Sequence, residues 1–92
     1  MTQHEALNSI TTALRKVLKR DNIEITPETD LAEKKILDSL DRIVFVMELS
    51  ELTGKDFPEE IDLVKTGILK VHNLVDFLTG VKNISDFANI KV

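Results

Sequence analysis

Asp38-Ser39-Leu40-Asp41-Arg42-Ile43-Val44-Phe45-Val46-Met47-Glu48-Leu49-Ser50-Glu51-Leu52-Thr53-Gly54 is the stretch from which the rest of the chain can be read. Asp38 and Ser39 both carry side-chain oxygens suited to capping a helix start, and Gly54 suits the left-handed residue that stops one. The spacing therefore predicts a helix from Asp38 or Ser39 to about Thr53. Successive helical residues turn by about 100°, which puts Phe45, Val46, Leu49 and Thr53 on one side as a core face. Leu40, Asp41, Val44, Met47, Glu48 and Glu51 fall on the other. A helix facing only water has no use for Leu40, Val44 and Met47 among three carboxylates, so this outward face is expected to meet a partner. The alternative is that the preceding loop or the C-terminal part of the chain covers Val44 and Met47.

Upstream, Leu7, Ile10, Leu14, Val17 and Leu18 recur at spacings of three and four, predicting an amphipathic helix from about residue 3 to residue 20 with Thr2 and Glu5 as a capping box. Between the two helices Ile23, Ile25, the Thr26-Pro27 pair and Leu31 read as a long ordered loop held by scattered apolar anchors. Downstream, Phe57-Pro58-Glu59-Glu60 has the form of a helix start. Ile61, Val64, Ile68, Val71, Val75 and Leu78 then fit either one long helix ending at Gly80 or two short ones hinged at Thr66-Gly67. Asn83-Ile84-Ser85-Asp86-Phe87 repeats Asn73-Leu74-Val75-Asp76-Phe77 imperfectly, and is read as a further short helix or turn. Val81, Ile84, Phe87 and Ile90 offer too much apolar surface for a free tail, so the region after Gly80 is expected to be ordered.

The chain has 92 residues, 42% of them apolar and 30% charged, which suits one small folded domain, residues 1–92, expected to be a monomer. Absence of cysteine removes disulfides, thiolate metal sites and a cysteine nucleophile together, and points to a cytoplasmic protein. Its longest apolar run, Ile43 to Met47, is far too short to span a bilayer. Residues 38–62 carry two basic and eight acidic side chains, net −6, against 0 for residues 1–37 and +2 for residues 63–92. Such a segment repels nucleic-acid phosphates and attracts basic protein surfaces.

His4 and His72 have no companion at metal-ligand spacing, and neither a phosphate-binding glycine loop nor a nucleophile elbow occurs, so no metal site and no catalysis are expected. Ser39 is the one loaded position. Where a long loop turns into a helix, free backbone N–H groups and the positive end of the dipole favour a phosphodiester on a serine oxygen. Taken alone, Asp-Ser before a helix is more often a cap.

Asp38-Ser39-Leu40, Thr29-Asp30-Leu31 before it, Leu49-Ser50-Glu51-Leu52-Thr53-Gly54 at the helix end and Phe57-Pro58 after it resemble the acyl carrier proteins and related peptidyl carrier domains over roughly residues 3 to 80. The resemblance implies an all-α four-helix bundle with a long loop between helices 1 and 2 and an extended C-terminal region. The fourth helix would be residues 71–79 or 82–90. It also implies 4′-phosphopantetheine, from coenzyme A, attached to Ser39 between Asp38 and Leu40, with the carried group held as a thioester. Asp41, Val44, Met47, Glu48 and Glu51 would form the docking face. The implied partners are a phosphopantetheinyl transferase and an acyl-carrier synthetase, ketosynthase or acyltransferase. The cargo would be an acyl group for a specialised lipid, such as a fatty acid or lipopolysaccharide, or for a polyketide. The alternatives are an aminoacyl or peptidyl carrier and a carrier-like interaction subunit that is never modified. Three features depart from the family pattern: Lys35 and Ile36 stand where a glycine is usual, Val44 and Ser50 replace acids, and the stretch from Pro58 to Val92 is long.

Overall fold

Thr2 starts the first helix as expected: its hydroxyl accepts the Glu5 N–H at 3.1 Å while the Glu5 carboxylate accepts the Thr2 N–H at 3.0 Å. The Thr2 backbone N–H first, and the nearby Thr2 hydroxyl next, hold the Glu5 carboxyl below its ordinary value. In the computed structural model, which describes residues 1–19, 23–33, 36–57 and 62–88, this helix, α1, spans Gln3–Leu18. It ends two residues short of the expected boundary because Lys19 takes the left-handed conformation, φ 53°. The second helix, α2, spans Ser39–Thr53 and stops at Gly54, whose φ of 73° lets its N–H reach the Ser50 carbonyl at 2.8 Å.

Of the two arrangements expected downstream, the break at Thr66-Gly67 is the one found, with a turn rather than a helix before it among the described residues. Gly67 sits at φ 67°, Asn73 donates through Nδ2 to its carbonyl at 2.7 Å, and α3 begins afresh at Val71–Leu78. Before it, residues 63–66 make a turn in which Asp62 Oδ1 accepts the N–H groups of Val64 and Lys65. The helix start expected at Phe57-Pro58 falls largely on residues 58–61, outside the described ones. A five-residue α4, Ile84–Ala88, follows, so both candidate positions for the last helix contain helix. Among the described residues the chain is all-helical, apart from one isolated bridge between Asp30 and Lys70.

Packing follows the apolar stripes. Ile10 and Leu14 of α1, Phe45 and Leu49 of α2, and Leu74 and Leu78 of α3 share one core with Leu31 and Leu37 from the loop. The loop is also tied by backbone bonds: Leu31 N–H to the Leu69 carbonyl at 3.0 Å, Val71 N–H to Thr29 at 2.9 Å, and His72 N–H to Pro27 at 3.1 Å. Ile84 and Phe87 lie half-buried against the core, whereas Val81 is exposed and Ile90 lies outside the described residues. Truncation after Gly80 should leave a folded domain that unfolds in urea with a loss of about 1–3 kcal/mol, the value of two partly buried side chains. Unchanged stability would show that α4 is not docked in solution.

Candidate functional site

Asp38, not Ser39, caps α2. Its backbone is extended, its Oδ1 accepts the Asp41 N–H at 2.8 Å, and its carbonyl accepts the Arg42 N–H at 3.0 Å. Ser39 is the first helical residue and is exposed, and its hydroxyl has no hydrogen-bond partner among the described residues. The Leu40 N–H has no acceptor there either, so a free hydroxyl and a free donor stand together at the positive end of the dipole. An anion linked to the serine oxygen suits that arrangement.

The turn leading into this site needs no glycine at position 36. Ile36 and Leu37 both donate to the Glu33 carbonyl, at 2.9 and 3.0 Å, and among the described residues only Lys19 and the glycines have positive φ. Lys35 lies outside the described residues. Leu37 is fully buried, anchoring the chain one residue before the cap.

On the outward face of α2, Leu40 is 71% exposed, Val44 42% and Met47 63%. No described part of the loop or C-terminal region covers them, contrary to the alternative above. Ile43, 56% exposed, joins the stripe, and sequence reading assigned it to neither face. The steps from Leu40 to Ile43, Val44 and Met47 are the signal that finds it. Glu51 is exposed and Asp41 half-buried. Glu48 is half-buried and lies 3.5 Å from Lys16 of α1, so its charge is shared with that helix.

Elsewhere, His72 donates from Nδ1 to the Pro27 carbonyl at 2.8 Å, a structural tie between α3 and the loop. Among the described residues no group of three His, Cys, Asp or Glu side chains could hold a metal, and no helix is long and apolar enough to cross a membrane.

A family model described as a phosphopantetheine attachment site matches residues 8–66. Acyl carrier protein 2 of Ralstonia nicotianae is 36% identical over 67 residues, covering 72% of this chain and 83% of that one. The acyl carrier protein of Thermosynechococcus vestitus is 33% identical over 81 residues, 87% of this chain and 95% of its own. That of Rubrobacter xylanophilus is 37% identical over 60 residues, 65% and 74% respectively. No solved structure gives a significant match.

Proposed function

The chain belongs to the phosphopantetheine-attachment family, and on that premise we propose that it is an acyl carrier whose Ser39 oxygen bears the arm. The cofactor of this family is 4′-phosphopantetheine, and its members carry substrates without acting as enzymes. The carrying observation is the division of labour at the start of α2: Asp38 supplies the cap, and the Ser39 hydroxyl is exposed with no hydrogen-bond partner among the described residues. A serine that merely capped the helix would be bonded to an amide of the first turn. The Leu40 N–H and the helix dipole supply electrostatic support for the phosphodiester. When bound, the arm supplies a terminal thiol that holds an acyl group as a thioester. The absence of cysteine means that the protein offers no competing thiol.

The protein's own contribution is presentation. Leu40, Ile43, Val44 and Met47 form an apolar stripe edged by Asp41, Glu48 and Glu51, which suits a transferase and biosynthetic enzymes whose docking sites are basic with an apolar centre. The four-helix bundle of the carriers is part of this proposal, supported by α1, α2, α3 and the short α4 against one core. So are a single carrier domain over residues 1–92, a cytoplasmic setting and a specialised acyl cargo. The last is supported by Val44 and Ser50, which make the docking face less acidic than that of general carriers.

Asp41→Lys and Glu51→Lys test the docking surface, since neither carboxylate caps the helix. Each should slow modification by about three- to tenfold at low ionic strength, with the gap closing as salt rises. Equal, salt-independent rates in wild type and variants would show that docking is not electrostatic. The attachment itself is tested by intact mass.

A further inference from the structure

Arg42 stands where the helical repeat of α2 asks for a core residue, in the same sector as Leu49 and Thr53. It is half-buried, its Nε is buried with no hydrogen-bond partner, and its Nη2 donates to the Ala32 carbonyl at 2.6 Å. Placing a permanent cation there is costly, and no described carboxylate pairs with it. The carbonyl it reaches belongs to a fixed part of the loop. Ala32 is buried, its N–H donates to Asp30 Oδ1 at 2.9 Å, and the neighbouring Leu31 N–H donates to the Leu69 carbonyl at 3.0 Å.

The Arg42 side chain therefore ties the first turn of α2 to the loop that leads into the site. The Arg42 side chain takes the carbonyl of Ala32, and its backbone N–H takes the carbonyl of Asp38 at 3.0 Å. Only residues 33–37 lie between. We infer that Arg42 is a positioning residue for the modification of Ser39: it sets the span from Ala32 to Asp38, and through the cap the direction in which the Ser39 hydroxyl is presented to a transferase. This rests on the reading of Ser39 as the attachment site. Small misplacements of a reacting oxygen act on the rate of transfer more than on encounter.

The test compares wild type, Arg42→Met, which keeps the apolar stem without donors, and Arg42→Lys, which keeps the charge and one donor. Initial rates with coenzyme A and a broad phosphopantetheinyl transferase give kcat and KM separately, and amide exchange follows residues 30–39. Arg42→Met should lose about tenfold in kcat with KM little changed, and exchange Leu31 and Ala32 faster, at unchanged far-UV helicity. Arg42→Lys should recover most of the rate and the protection. Wild-type kcat in Arg42→Met, a loss confined to KM, or a lysine variant no better than methionine would each overturn the inference. Should Arg42→Met fail to fold, the lysine variant decides: near wild-type kcat with protected loop amides supports the inference, and a large loss overturns it. A wild-type chain that takes no arm at Ser39 would overturn the attachment proposal and this inference with it, whereas a modified wild type with unaffected variants overturns this inference alone.

Discussion

Ser39→Ala is expected to abolish uptake of phosphopantetheine while leaving the helical far-UV signal at the wild-type level. The two effects separate because different residues carry them. Asp38 Oδ1 holds the Asp41 N–H whatever stands at position 39, and alanine is a good residue for a first helical turn. The oxygen that forms the phosphodiester belongs to Ser39 alone. Asp38→Ala should behave in the opposite sense, losing about 1 kcal/mol of stability with the cap yet still accepting the arm, more slowly. Mass spectrometry and circular dichroism on the two variants read both quantities. A Ser39→Ala protein that unfolded would assign the hydroxyl a structural role, and one that still gained mass would move the acceptor elsewhere.

The largest change in stability is expected at Phe45. It is fully buried in the core that α1, α2 and α3 share, and α1 packs chiefly against α2. Phe45→Ala should cost about 3–5 kcal/mol, and Leu49→Ala, equally buried on the same face, about 2–5 kcal/mol. For a domain with a total stability of about 5–15 kcal/mol, either brings the native state close to unfolding at ordinary temperature. Met47→Ala, on the exposed face, should change stability by less than about 0.5 kcal/mol while weakening a cognate enzyme complex. Urea denaturation of the three variants separates the inner face from the outer. Similar losses at Met47 and Phe45 would mean that the rotation of α2 differs from the one described.

What could be read from the sequence is what local chemistry decides. The capping box at Thr2 and Glu5, the start of α2 at Asp38-Ser39 and its stop at Gly54 depend on residues within one turn, and all three stand as read. The inner face of α2 followed from period alone, with Phe45 and Leu49 fully buried and Val46 packed beside them. Over residues 61–80 the apolar spacing of three and four left a continuous helix and a hinge at Thr66-Gly67 both open; the chain is turned at Gly67, and contacts distant in sequence decide it. Thr29 and Pro27 accept the N–H groups of Val71 and His72, and Asn73 holds Gly67. Which of Asp38 and Ser39 caps the helix was likewise open, since both side chains are competent and only geometry chooses. Arg42 escaped notice because a charge on a helix is ordinarily read as surface, and its partner, a loop carbonyl ten residues away, leaves no mark in the sequence.

The most direct measurement is the intact mass of the wild-type protein after incubation with coenzyme A and a broad phosphopantetheinyl transferase, followed by fragmentation to locate the adduct. The account predicts one added phosphopantetheine per chain, on Ser39. No addition with several transferases, or addition on any other residue, would contradict it.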